Sequence, residues 1–253
     1  MRDITPSTAA VSDAKLYEMR ALRSAEDLWP MLEALYGAHP GYAAFRADLT
    51  RAMRAAWDAR APELKRQDLA RDLEPDWFQR PAMVGYVFYI DRFAGDLKGV
   101  RERLDYLADL GVTYIHFMPC LKPREGDNDG GYSVQDYREI APHLGTMADF
   151  EETVAAARAR GMSVCIDMVL NHTAKEHDWA LRARAGEAAY LDYYLTFPDD
   201  TLPQAYEKTA HEVFPAHAPG NFTFYEDMDR WVWTSFNEHQ WDLNWANPRV
   251  FLE

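Results

Sequence analysis

Met162-Ser-Val-Cys-Ile-Asp167-Met-Val-Leu-Asn171-His172 is an apolar run that carries three polar residues, Asp167, Asn171 and His172, within it or at its end. It opens directly after Gly161 and has the length and composition of a buried strand. Burying an unpaired carboxylate costs several kcal/mol, about 3 or more, so Asp167 implies a partner or a task. A buried strand with Asp near its C-terminal end, delivering Asn-His into the next loop, reads as the lip of a (β/α) barrel. The competing reading is a parallel core strand whose Asp167 merely caps a loop.

Upstream, the same grammar repeats. Val84 to Ile90 reads as a strand, Leu97 to Leu110 as a helix started by Asp96 and stopped by Gly111, and Val112 to Met118 as a second strand. Thr146 and Asp149 have capping-box-like spacing, Phe150, Val154 and Ala157 mark a buried helical face, and Gly161 closes that helix. The order βαβαβ places the strands in an α/β parallel sheet. Right-handed crossovers set them side by side with their C-terminal ends on one edge. That edge receives the Asp91 to Asp96 loop, the long Pro119 to Tyr132 loop and Asn171-His172.

The loop Arg124-Glu-Gly-Asp127-Asn128-Asp129-Gly-Gly-Tyr132 is too polar and Gly-rich to hold regular structure, and a loop of this length over a barrel mouth binds something or is a solvated turn. Asp127, Asn128 and Asp129 suggest a calcium loop, but the EF-hand spacing and its closing Glu are missing. His172, Glu176 and His177 invite a zinc reading, which the HExxH spacing does not support. No metal or other cofactor is expected. From Thr173 to about Ala246 the alternation gives way to an irregular segment rich in Pro, His, Tyr and Trp, with Trp231 to Thr234 as a short strand. Aromatic rings interleaved with Asp, Asn and Gln, as in Phe236 to Asn244, suit a sugar: rings stack on the C–H face of a pyranose and polar groups pair with its hydroxyls.

Residues up to about 82 read as helix throughout. Tyr42, Phe45, Leu49, Met53 and Ala56 recur at helical spacing, as do Leu69, Leu73 and Trp77, with breaks at the Gly37 to Gly41 turn and near Pro62 and Pro75. These stripes are core. With 253 residues, 48% of them hydrophobic and 13% aromatic, the chain can bury a large core and is expected to be soluble. Net charge of -14 disfavours nucleic acid and anionic membranes as partners. Cys120 and Cys165 lie in apolar surroundings and read as buried thiols, which fits a cytoplasmic location. Met1 to Ala14 lacks an apolar core of signal-peptide length, and no run suits a membrane span.

With these residues in view, the chain resembles the α-amylase family of glycoside hydrolases, and within it the amylosucrases and related sucrose hydrolases. Asp167-Met-Val-Leu-Asn171-His172 is similar to the family's D-x-x-x-N-H region after barrel strand three, and Gln240-Trp-Asp-Leu-Asn244 to the short signature of its inserted B domain. Phe93-Ala-Gly-Asp-Leu-Lys-Gly99, Asp129-Gly-Gly-Tyr132 and Phe236-Asn237, in this order, and the helical N-terminus narrow the resemblance toward amylosucrase. It implies the first three β/α units of a (β/α)8 TIM barrel at 83–172, a helical domain at 1–82, a B-domain insertion at 173–246, and the start of a return to the barrel at 247–253. It further implies that His172 hydrogen-bonds a glucosyl unit from a solvent-accessible position, that Tyr132 and Phe236 frame the ring, and that Asp129 closes the blind end of the pocket. Asp167 and Asn171 would support the site from beneath, and Gln240 would be a further sugar contact. The partners implied are small sugars, sucrose and α-glucan.

Retaining glycosidases need two carboxylates about 5 to 5.5 Å apart, one as nucleophile and one as acid. The family carries its nucleophile in a G-F-R-x-D-A-like motif on strand four and its acid on strand five. Neither motif occurs in this chain, so the nucleophile and the general acid are expected beyond Glu253. The chain is therefore expected to be an N-terminal portion without catalytic residues of its own and without the C-terminal part of the barrel. The activity implied for the family member is cleavage of sucrose with retention and transfer of glucose to α-glucan or water. Two other readings stay open: an α-glucosidase or sucrose phosphorylase of the same clan, and a non-catalytic sugar-binding or assembly protein.

Overall fold

A computed structural model describes residues 12–253. The expectation for Met1 to Ala14 therefore lies, up to residue 11, outside the described residues. The chain divides into two compact units, residues up to 70 together with 245–253, and residues 71–244. The sequence suggests boundaries at 82 and 246 instead.

In the first unit, α1 (Asp13–Tyr36) starts where Ser12 accepts a hydrogen bond from the Lys15 amide, satisfying one orphan donor of the first turn. The turn expected around Pro40 separates it from α2 (Tyr42–Ala59), and Pro62 opens α3 (Pro62–Leu73). Leu32, Tyr36 and Phe45 form the core, with Leu28, Trp29, Tyr42 and Leu49 packed around them. The expected stripe of Leu69, Leu73 and Trp77 does not form. Leu73 is 84% exposed, the helix stops there, and Trp77 sits in a separate 3-10 turn, because Pro75 biases the residue before it away from helix.

The 247–253 segment, expected to begin the return to a barrel, forms a short helix (Pro248–Leu252) that completes this helical core. Phe251 meets Phe45 edge-on at 5.7 Å, Leu252 packs on the cluster, and Arg249 pairs with Asp48. Apolar Val250, Phe251 and Leu252 thus serve the helical unit. Glu253, the residue past which the sequence expects the catalytic carboxylates, caps this helix, and its own carboxylate is paired with Arg249 at 3.0 Å. The segment from Pro248 to Leu252 is thus a helix packed on the helical unit.

The second unit is built on β1 (Gly85–Phe88), β2 (Tyr114–Phe117), and a later strand, Ser163–Ile166, which pair in parallel in the spatial order β1, β2, Ser163–Ile166. Phe88, Phe117 and Ile166 stand level across the sheet, so the three C-terminal ends share one edge as the βαβαβ reading requires. The helix expected over Leu97 to Leu110 is two short helices, α4 (Leu97–Glu102) and α5 (Leu104–Asp109), interrupted at Arg103. Leu97, Val100, Leu104 and Leu107 are fully buried against Ile115 and Phe117. The helix α6 (Met147–Ala159) carries the full capping box between Thr146 and Asp149, and Thr153, Val154 and Ala157 face the core.

The long loop after β2 differs from its expectation. It holds a hairpin, β3 (Leu121–Pro123) against β4 (Val134–Ile140), with only Arg124 to Ser133 left at the tip. Asp136, Arg138 and Glu139 mask β4 in the sequence; only Val134 and Ile140 at its ends are fully buried. We number Ser163–Ile166 as β5 and His172–Ala174 as β6. Beyond it the segment expected to be irregular holds a three-stranded antiparallel sheet of β7 (Thr196–Phe197), β8 (Phe222–Tyr225) and β9 (Arg230–Trp233), and a ribbon of β6 with β10 (Gln240–Asp242). Strands of two to four residues are too short for their alternation to register in a sequence. The expected strand at Trp231 is β9.

Candidate functional site

Asp167 directly follows β5, at the edge where the parallel strands end. Both its oxygens are engaged: Oδ1 with His116 Nε2 at 2.7 Å, and Oδ2 accepting from the Tyr132 hydroxyl at 3.0 Å. The partner that the sequence demands for this carboxylate is therefore a histidine on β2 and a tyrosine from the loop tip. His116 escaped the sequence reading. Its signal was the same as that of Asp167, one polar residue inside an apolar strand.

Tyr132 is placed by a backbone that few residues can adopt. Asp129, Gly130 and Gly131 have φ of 53°, 64° and 96°, and a Cβ on Gly131 would lie 2.8 Å from Pro119 Cβ. Asn128 closes the turn by accepting from the Gly131 amide at 2.9 Å. From the other end, Arg124 anchors the loop with two 2.9 Å bonds to Glu176 and one to the Asp127 carbonyl. Burial pushes the Glu176 carboxyl up, but the Arg124 guanidinium outweighs this and holds it below the usual carboxylate value. Asn128 and the Asp127 carbonyl are thus spent on the turn, and among the described residues no cluster of three or more His, Cys, Asp or Glu is placed to hold a metal ion.

The tyrosine ring carries a second consequence. Burial, then its bond to Asp167, pushes the Tyr132 phenol up to about 12, so it stays a donor at neutral pH. Its main-chain carbonyl accepts from His172 Nε2 at 3.1 Å, while Asn171 Nδ2 lies 3.4 Å from His172 Nδ1. These partners assign the neutral imidazole with its proton on Nε2. Burial lowers the His172 pKa, in keeping with that state. His172 is only 4% exposed, against the expectation of a solvent-accessible sugar ligand. It packs against Phe236, with ring centroids 5.2 Å apart.

Gln240, expected as a sugar contact, is engaged within the protein. It is fully buried, donates to Asp129 Oδ2 at 3.3 Å and accepts from Asn237 Nδ2 at 2.8 Å. Its amide therefore holds Asp129 in place and is not presented to solvent. The structure thus brings Asp129, Tyr132, Asp167, Asn171, His172, Phe236 and Gln240 together, each within contact of at least one other. Beside them opens a cleft of about 440 Å3 whose walls include Phe236, Asn237, His239 and Asp127. Asp242 and Asn237, quoted in the sequence motifs, also belong here, and Ser235 is a further member that the sequence reading did not place.

The catalytic-domain model of the family "Alpha amylase, catalytic domain" matches residues 54–253. Trehalose synthase of Pimelobacter sp. (strain R48) is 36% identical over 185 residues, covering 70% of this chain and 31% of that protein. Palatinase of Erwinia rhapontici is 36% identical over 157 residues, covering 62% and 27% respectively. Among solved structures, Bacillus licheniformis trehalose-6-phosphate hydrolase (TreA) superposes with a TM-score of 0.59 at 31% identity, over 69% of this chain and 31% of that one. A mutant of MutB in complex with the substrate sucrose gives 0.59 at 31% identity, over 70% and 31%. The chain thus spans about a third of the length of these relatives or less. With a family model matching most of its length and β1, β2 and β5 side by side in parallel, the chain belongs to the alpha-amylase family and carries part of the catalytic domain.

Proposed function

We propose that this chain forms the glucosyl-seating wall of an amylosucrase-like enzyme, within the first three β/α units of a (β/α)8 barrel. Such an enzyme cleaves sucrose with retention and passes glucose to an α-glucan or to water. The observation that carries the reading is the unit made by Tyr132, His172 and Phe236: a phenol ring, a neutral imidazole and a second aromatic ring, tied to one another and to Asp167. Aromatic faces suit the C–H face of a pyranose, and the Tyr132 phenol oxygen, whose proton goes to Asp167, keeps acceptor capacity for a sugar hydroxyl. Asp129, steadied by Gln240, would accept from hydroxyls at the closed end of the pocket. Asp167, with both oxygens engaged, would act as a support. The related MutB is seen with the substrate sucrose, in keeping with a sucrose-active member. The free thiols of Cys120 and Cys165 favour a cytoplasmic setting.

This chain alone is not expected to turn over sucrose. Asp129, Asp167 and Asp242 are the carboxylates of the site, and the resemblance assigns none of them to the attacking or the proton-donating role, which it puts beyond Glu253. Where catalytic groups act as a unit, loss of one costs about as much as loss of all. The test is calorimetric titration of the chain with glucose, sucrose, maltose and trehalose, with fructose release followed in parallel. Binding of glucose and sucrose without turnover is expected. Binding of maltose or trehalose in preference to sucrose would move the assignment to another branch of the family, and steady fructose release would overturn the assignment of roles.

A further inference from the structure

Asp242 lies on β10 opposite His172 on β6, is 6% exposed, and has no role in the sugar contacts proposed above. Oδ1 of its carboxylate accepts from the Ser235 amide at 3.3 Å and Oδ2 accepts from the Ser235 hydroxyl, while its place on β10 pairs it with the strand that carries His172. Ser235 immediately precedes Phe236, and Asn171 immediately precedes His172. One buried residue therefore holds the residue before Phe236 by its carboxylate and the strand of His172 by strand pairing, and the two rings lie 5.2 Å apart. The main chain repeats the link, since the Leu243 amide donates to the Asn171 carbonyl at 2.9 Å.

We propose that Asp242 is the positioning residue that sets the separation and tilt of Phe236 against His172, and so the width of the pocket; this rests on the reading of these rings as the glucosyl seat. The cost of such a group is visible: burial raises the Asp242 pKa to about 6 despite the bonds from Ser235. An apolar residue of similar size would avoid that cost in a part that served stability alone. A carboxylate offers about four acceptor positions on two oxygens, against two on the single oxygen of a carboxamide and none on an aliphatic side chain. The turn from Thr234 to Gln240 is also tied to Asn221 and Thr223 at Thr234, to Tyr225 at Glu238 and to Lys175 at His239, while the Asp242 carboxylate is what accepts from both the amide and the hydroxyl of Ser235.

The test compares the chain with Asp242→Asn and Ser235→Ala. The first keeps the shape but loses part of the accepting capacity; the second removes one donor without touching the buried carboxyl. The readouts are the nuclear Overhauser contact between the His172 and Phe236 rings, hydrogen exchange at the Ser235 amide, and glucose affinity by calorimetry. Expected for Asp242→Asn are loss of the ring–ring contact, faster exchange at Ser235, and an affinity weaker by about tenfold or more, since a misplacement of about 1 Å can cost on the order of a hundredfold in function. Ser235→Ala should show the same changes to a smaller degree. An unchanged ring contact and unchanged Ser235 exchange in folded Asp242→Asn would overturn the positioning role. If instead the parent chain binds no glucose while Asp242→Asn still loses the ring contact, the positioning role stands and the glucosyl reading falls. Should Asp242→Asn fail to fold, Ser235→Ala decides the matter by the same readouts.

Discussion

Tyr132 is bonded to His172 through its main-chain carbonyl, at 3.1 Å, and to Asp167 through its ring hydroxyl, at 3.0 Å. Side-chain substitution therefore separates the two links. Tyr132→Phe removes only the bond to Asp167, whose other oxygen keeps His116, and should lower stability by roughly 0.5 to 1.5 kcal/mol in urea unfolding. Glucose affinity should stay close to that of the parent, because the ring and the His172 contact remain. Tyr132→Ala should abolish binding. Equal affinities for the two variants would show that the ring takes no part in the site.

His172→Ala is expected to affect both folding and binding. A solvent-facing ligand would leave the melting point untouched, but this imidazole is buried, bonded to the Tyr132 carbonyl and packed on Phe236. Truncation leaves a cavity and an unpaired carbonyl, a loss of roughly 1 to 3 kcal/mol. Thermal melting together with calorimetry checks it. An unaltered melting point would contradict the burial described here.

The pH dependence of stability contains two opposed contributions. Asp242 has its native pKa raised to about 6, so the folded chain takes up that proton before the unfolded chain does. Its contribution to stability is least above pH about 6 and grows as the pH falls toward about 4. His172 has its native pKa lowered by burial, so the unfolded chain is protonated first; its contribution is present above pH about 6.5 and is lost as the pH falls through the native value. The stability of the parent minus that of Asp242→Asn should therefore be larger near pH 4.5 than near pH 7.5. Urea unfolding at the two values gives the answer, and a difference independent of pH would count against Asp242 titrating in this range.

Arg124 and Glu176 hold the base of the Asp129 loop with two charge-assisted bonds of 2.9 Å, in a partly buried setting. Hydrogen bonds to charged groups contribute about 1.5 to 3 kcal/mol, and a double-mutant cycle of Arg124→Met with Glu176→Gln should return a coupling of that order. Hydrogen exchange should rise between Gly126 and Tyr132 in either variant and leave α6 unaffected. A coupling near zero would mean the positive-φ turn holds itself.

Much of the second unit was legible because its elements obey strong local rules. The capping box at Thr146, the closing glycines Gly111 and Gly161, and the apolar runs before Met118 and Asp167 each fix an element independently. The Gly-rich tip was legible as a loop for the same reason. What escaped the sequence depends on pairing over long distances. The β3–β4 hairpin hides behind charged residues, and the strands between Thr196 and Asp242 are too short to show a period. The stretch from Pro248 to Glu253 gave a helix but not its destination, because the aromatic partner that receives it lies some two hundred residues upstream. In the site, the sequence named residues but not their depth: a histidine and a glutamine expected to meet sugar directly are buried, because β6 and β10 pair with one another and carry both inward. His116 was passed over since it is a single polar residue in an apolar stretch, whose meaning is decided by what faces it.

The helical unit is assembled from the two ends of the sequence, and this has a consequence for synthesis on the ribosome. Its first three helices emerge early, but the aromatic partner of Phe45, Phe251, and the cap on Leu32 and Tyr36, Leu252, are made some two hundred residues later. At the translation rates of roughly 5 to 20 residues per second, the nascent helices wait on the order of ten seconds or more with that face uncovered. The strands and helices between residues 71 and 244 are made before that partner appears. Vectorial synthesis thus makes this part of the mixed unit before the helical unit can close its aromatic core.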